Sequence, residues 1–318
     1  MNIHCTYNIR IVRLLNAISE KKGEIKAYFL NQLQPYDWEG YKSQLVYASL
    51  VLEDSFLKKE LVNAILMDTP CRCAESTIKS VKNFYRIYDH IHSYNPYSQE
   101  SFKQANKDLL IGIQATEGYR NETVPFLSGR DGFSLSISAE EMNTGIEELF
   151  HFLRYGGDSL LIKSCLCHYA IQYYQPFAYE NEKMSRLWHR LLLIKDHLPF
   201  EFIPWEQEIL RKKKTYRYRL PAKDRNLDAT DFVTFMLELI NQSFIYILQN
   251  CRKKVTALDR IRYFYMLHKT HFTRKDYMLV HKNISSATAS RDLDFGAELG
   301  YFDQFGEKNQ TYYSCARR

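Results

Sequence analysis

The stretch with the densest chemistry runs Gln175-Pro176-Phe177-Ala178-Tyr179-Glu180-Asn181-Glu182-Lys183-Met184-Ser185-Arg186. Two carboxylates, an amine and a guanidinium crowd its second half. Gln175, at its head, carries an amide that takes up no proton at neutral pH. Tyr179 offers a phenol where a hard cation such as Mg²⁺ prefers carboxylate and phosphate oxygens. Upstream, Ser49-Leu50-Val51-Leu52-Glu53-Asp54 sets a hydroxyl and a carboxylate four residues apart. On a helix that spacing puts both on one face, within reach of a common partner. The cysteines point away from metal chemistry. Cys71–Cys73 and Cys165–Cys167 have C-x-C spacing, which on a helix turns the two thiols apart, and His168 does not complete a ligand set.

The elements that must position these residues are mostly helices. Leu45–Leu66 has apolar residues (Leu50, Leu57, Leu61, Ile65) at helical spacing, and Ile78–Ile91 repeats the pattern after a break at Pro70. Ser98 opens a helix towards Ile113. Thr123–Ile137 differs: Val124, Phe126 and Leu127 precede Gly129 and Gly132, and Phe133, Leu135 and Ile137 then alternate, which predicts a β-hairpin. Ser138 with Glu141 three residues on is a capping-box pattern. Helices are expected over 138–154, 158–174 and 182–196, with Gln175–Asn181 as a break. Arg211–Lys214 with Arg217 and Arg219 reads as a basic, solvated loop. A last long helix covers Asp228–Asn250.

The 175–186 segment resembles the Fic motif, H-P-F-x-D/E-G-N-G-R-x-x-R. Gly118-Tyr119-Arg120 before the hairpin, and Val81-Lys82-Asn83-Phe84-Tyr85-Arg86 through Asn95-Pro96, are also similar to stretches of that family, and the resemblance spans about residues 40–315. It implies transfer of AMP from ATP to a hydroxyl of a target protein, with Mg²⁺ as cofactor. It also implies a hairpin flap (Val124, Phe126, Gly129, Gly132) that aligns the target backbone. Phe177, Glu180, Asn181, Glu182 and Arg186 fall on the nucleotide-phosphate site, and Gln175, Lys183 and Arg186 on catalytic positions. Pro176, Phe177, Asn181 and Arg186 match the motif. Gln175 stands at the general base, Tyr179 at the metal position, Glu180 and Glu182 at the two glycines, and Lys183 at the first arginine.

Loss of a general base typically removes 10²–10⁴-fold in rate. Glu180 and Glu182 add bulk and negative charge where polyphosphate would approach, and like charges near 4 Å cost roughly 1–4 kcal/mol. They also penalise any left-handed backbone the loop needs. ATP with Mg²⁺ is thus implied by the resemblance and opposed by the residues. The Ser49–Asp54 stretch resembles the S/T-x-x-x-E-G/N pattern of autoinhibited members at every position but the last. It implies Ser49 and Glu53 as inhibitory residues and a charge-assisted pair between Glu53 and Arg186.

Residues 256–318 read helix, helix, helix, hairpin, the order of a winged helix-turn-helix. Ile284–Leu293 resembles its recognition helix, with Ser286, Thr288, Ser290 and Arg291 facing DNA and Lys308 at the wing tip. The charge distribution agrees: residues 251–318 hold 13 Lys and Arg against 7 Asp and Glu, the whole +6 of the chain, while the first 250 residues sum to zero.

The expected fold is therefore mainly α. It comprises an N-terminal helical region over 1–75 with the inhibitory helix at about 45–66, a Fic-type helical bundle with a β-hairpin flap over 76–250, and a winged-helix domain over 251–318. With 45% hydrophobic and 25% charged residues the composition is that of a soluble globular protein. No run of about 18 apolar residues predicts a membrane span. Arg10 and Arg13 break the N-terminal apolar run, unlike a signal peptide. Seven cysteines, an odd number, fit reduced thiols in the cytoplasm. A protein target, DNA and a homodimer are the expected partners. Three functional readings stay open: a catalytically impaired regulatory or binding module, a transferase with altered donor or base, and a DNA-binding regulator.

Overall fold

A computed structural model describes residues 2–31, 38–53, 56–127, 134–196, 200, 203–221, 227–251, 256–266, 271–282, 284–306 and 311–315. Asp54, Gly129, Gly132 and Lys308 lie outside the described residues. The chain forms two compact units, residues 1–20 with 42–244 and residues 21–41 with 245–318. Among the described residues three helices have residues in both: α1 (Ile9–Asn31), α2 (Trp38–Leu52) and α11 (Thr230–Cys251). The first unit thus joins residues 1–20 and 42–75 to residues 76–244, while residues 21–41 fall in the second.

Polar caps start many of the first unit's helices. Ser98 accepts from the Ser101 amide to open α5 (Gln99–Leu109), Ser138 from Glu141 to open α6 (Ala139–Tyr155), and Ser159 from Ile162 to open α7 (Leu160–Tyr174). Each supplies an acceptor to an amide that has no partner inside its helix. α7 is apolar nearly all round, and almost every residue from Leu161 to Tyr174 is buried, as expected of a central helix. α8 (Asn181–Asp196) packs along it. Around them lie α2 (Trp38–Leu52), α3 (Lys59–Leu66), α4 (Glu75–Asp89), α9 (Trp205–Arg211) and α10 (Lys213–Arg219). Phe102 anchors the aromatic core, with ring centroids 4.7 Å from Trp188, 4.8 Å from Phe177 and 5.5 Å from Phe150. The hairpin pairs β1 (Val124–Leu127) with β2 (Ser134–Ile137), Val124 opposite Ile137 and Phe126 opposite Leu135.

Three expectations need correction. The helix expected over Leu45–Leu66 is broken: α2 stops at Leu52 and α3 begins at Lys59, and side chains from elsewhere donate to the last carbonyls of α2. The basic segment 211–219 is helical rather than a loop, and several of its cations are bonded to backbone. Cys71 and Cys73 lie between α3 and α4, not on a helix, so their Sγ atoms approach to 3.8 Å. Cys165 and Cys167 are both on buried α7.

Over Thr230–Gln249, α11 has the length and hydropathy of a membrane-crossing helix, with 67% of that stretch buried inside the protein. Phe232, Val233, Met236, Leu237, Ile240 and Phe244 are core residues, as in the core helix of a globular domain.

In the second unit α12 (Ala257–Met266), α13 (Arg274–Val280) and α14 (Ser286–Glu298) precede a hairpin of β3 (Phe302–Phe305) and β4 (Tyr312–Cys315). Thr273 and Asp276 close a reciprocal capping box on α13. Ile261, Phe264, Phe272, Tyr277, Ala289, Leu293, Phe302 and Tyr313 form the core. Gly296 is required there, since a Cβ would meet the Phe302 ring at 2.6 Å. Arg260 donates to both oxygens of Asp292, at 2.6 and 2.8 Å, tying α12 to α14.

Candidate functional site

The loop joining α7 to α8 is held by contacts from three directions. Gln175 ends α7 in the left-handed region (φ 42°, ψ 65°). The Arg120 guanidinium donates to the carbonyls of Gln175 (2.8 Å), Tyr174 (3.0 Å) and Glu122, so a cation sits at the negative end of α7. The Asn181 carboxamide accepts from the Phe177 amide (3.0 Å) and donates to the Phe177 carbonyl (2.7 Å), folding the loop onto the start of α8. Asn106 donates to the Tyr179 carbonyl at 3.1 Å. Glu180 has φ 69°, a left-handed conformation that costs a non-glycine residue roughly 1–2 kcal/mol. The loop keeps a shape that suits glycine while carrying a glutamate.

Above this loop the charges converge. Arg186 is fully buried. It donates from Nε to Ser49 Oγ (2.9 Å) and from Nη2 to the Ser49 carbonyl (3.1 Å) and Glu53 Oε1 (2.6 Å). Lys183 reaches the other Glu53 oxygen at 2.7 Å and also pairs with Glu180. Glu182 Oε2 stands 3.6 Å from Arg186 Nη1, an ion pair without a hydrogen bond, and Nη1 has no hydrogen-bond partner. Glu53, at the end of α2, therefore bridges both cations. Three carboxylates face two cations. Burial alone would lower the Arg186 pKa, but Glu53, Tyr216 and Glu182 outweigh it and raise it further. Burial pushes the Glu182 carboxyl up, with Glu53 adding to the effect and Arg186 opposing it.

Beneath Arg186, His168 Nε2 lies 2.8 Å from the Tyr216 hydroxyl and His168 Nδ1 lies 3.3 Å from His189 Nδ1. Burial, then His189 and Arg186, hold His168 far below its usual range, and burial with Arg190 takes His189 to about 3. Both imidazoles are neutral at pH 7. They pack in the interior against Trp205 and Phe232.

The cluster can hold a carboxylate of the chain itself. It does not fit ATP with Mg²⁺. Lys183 and Arg186 are already matched by more negative charge than they carry, and Tyr179 is no hard-cation ligand. Gln175 supplies no base.

The structure thus brings Ser49 and Glu53 together with Glu180, Glu182, Lys183 and Arg186, whereas Gln175 and Asn181 shape the preceding loop and the Phe177 ring packs against Phe102 and Tyr119 in the core. Val124 and Phe126 lie on β1. In the second unit Ser286 and Arg291 are exposed on α14, the Arg291 Nε donates to the Ala287 carbonyl at 3.3 Å, and Ser290 Oγ accepts from Arg274 at 3.0 Å. Thr288 gives its amide to the Ser285 cap. Sequence reasoning missed the work of Arg120, Asn106, Tyr216, Lys213 and Arg217. The four-residue spacing of Lys213 and Arg217 was the available signal, since it puts both on one face if the segment is helical.

No protein-family model matches the chain, and no curated protein matches it in sequence. Solved structures do match. The chain is similar to a Fic family protein from Desulfovibrio desulfuricans G20, with a TM-score of 0.71 over 98% of both chains at 21% identity. The chain has the Fic fold. A Fic domain containing signaling protein from Bacteroides thetaiotaomicron matches with a TM-score of 0.59 at 16% identity, over 78% of this chain and 100% of that one. Fic-1 of C. elegans matches at 0.57 and 14% identity, over 76% and 72% of the two chains. At these identities the likeness shows the Fic fold and nothing finer about chemistry.

Proposed function

We propose that this protein is a regulatory or binding module built on the Fic fold, with its nucleotide site closed by its own carboxylates and AMP transfer lost. One observation carries this reading: Glu53, Glu180 and Glu182 surround Lys183 and Arg186, so the cations that would meet phosphate are already bound. A polyphosphate would have to displace Glu53 and then lie beside two more carboxylates. With Gln175 in place of a base, a nucleotide that did enter would also meet no proton acceptor there. The Bacteroides neighbour's description as a signaling protein fits a regulatory role. In the second unit the order helix, helix, helix, hairpin supports a winged-helix reading, with Ser286 and Arg291 on its outward face.

Calorimetric titration with Mg·ATP tests the central point, comparing the wild-type protein with Glu53→Gly. Neither is expected to bind, because Glu180 and Glu182 remain in the variant. Micromolar binding by either protein, about −8 kcal/mol, would overturn the reading.

A further inference from the structure

Glu53 sits where a carboxylate is least welcome. The C-terminal end of a helix carries partial negative charge and unpaired carbonyls, and it favours cations. α2 nevertheless ends on Leu52 with Glu53 next, so something must hold that end in place. Two cations of α10 do so. Lys213 Nζ donates to the Val51 carbonyl at 2.9 Å, and Arg217 Nη2 donates to the Leu52 carbonyl at 3.0 Å. In a longer helix these carbonyls would accept from amides four residues on. Here the side chains take that place, and the helix stops.

Lys213 and Arg217 are four residues apart on α10, hence on one face. α10 is itself fixed to the interior. Tyr216, between the two cations, is buried with its hydroxyl 2.8 Å from His168 on α7, and Arg219 donates to the Asp231 carbonyl at 3.0 Å. α7 ends at the motif loop. A continuous chain of contacts therefore runs from the base of the loop, through His168, Tyr216 and the two cations, to the residue before Glu53. Arg217 also draws on the charge of Glu182.

We infer that α10 is a latch, with Lys213 and Arg217 as positioning residues that keep the end of α2 in register and so hold Glu53 on Lys183 and Arg186. This rests on the reading that Glu53 closes the site, and it assigns that closure to residues about 160 positions further along the chain. The remaining cations of the segment, Lys212 and Lys214, are exposed on the same stretch and provide the control.

Hydrogen exchange across residues 44–53 tests the latch in the full chain. Lys213→Met with Arg217→Met is expected to speed exchange of the last turn of α2 by about tenfold or more, with α7 and α8 unchanged. Lys212→Met with Lys214→Met, which removes the same charge, is expected to change nothing. The exchanged pair Lys213→Arg with Arg217→Lys keeps both donors and is expected to restore protection. Unchanged exchange in the first double variant would overturn the latch, as would equal acceleration in the control. If the first double variant does not fold, each single substitution is expected to speed exchange by about threefold. No change in either single variant would overturn the latch in the same way. Binding of Mg·ATP to the wild-type protein would remove the closed-site reading on which the latch rests, whereas unchanged exchange without such binding would remove the latch alone, so the two failures are distinct.

Discussion

Arg186 and Arg190 stand one turn apart on α8, both out of water and both paired with glutamate, yet their surroundings differ. Arg190 donates to both oxygens of Glu206, at 2.6 Å from Nε and by a second bond from Nη2, and its Nη2 also reaches the Ile203 carbonyl at 2.8 Å. Both partners are essentially inaccessible, and the Tyr88 and Trp205 rings flank the guanidinium. Arg186 takes its partners from α2, leaves Nη1 without a hydrogen bond, and shares its carboxylates with Lys183. Glu53 is 22% exposed and Glu182 40%. A saturated, closed pair holds the fold. A pair with surplus charge, an unmet donor and access to water can change partners.

The comparison makes graded predictions. Glu206→Gln leaves Arg190 buried beside a neutral amide and is expected to cost about 3–5 kcal/mol in denaturant unfolding. Glu53→Gln is expected to cost less, about 1–2 kcal/mol, because Glu53 is partly solvated and Lys183 keeps Glu180. Equal losses at the two positions would erase the distinction between the pairs. Glu182→Gln is expected to stabilise the protein at pH 7 by less than about 1 kcal/mol, given the exposure of that side chain. Its sign follows from the raised folded-state pKa. The ionised form is disfavoured on folding, so the group's contribution is fully present below its ordinary value of 4.5 and is lost as pH rises through the folded value. The gain in melting temperature of the variant should therefore vanish below about pH 4.5 and grow above it. A gain independent of pH would show that charge at Glu182 is not the cause.

Much of this was legible in the chain. Ser98 and Ser138 announce their helices, since a cap acts on amides two or three residues away. The alternation around residues 123–137 announces the hairpin. The pattern Ser49 to Glu53 pointed to the helix that meets Arg186. The end of that helix was not legible. Leu57, Leu61 and Ile65 continue its apolar period, and nothing nearby in sequence marks Leu52 as its last residue.

By itself, then, the sequence determined the elements with local signals and the chemical character of the motif. Tertiary structure alone decided that α2 ends at Leu52, that 211–219 is helical and bonded to backbone, that Cys71 and Cys73 meet, and that three carboxylates close on two cations. The reason is reach. Caps and periodicity act within a few residues, whereas the donors that stop α2 come from 162 and 165 positions away, and the bond between Arg186 and Glu53 spans 133.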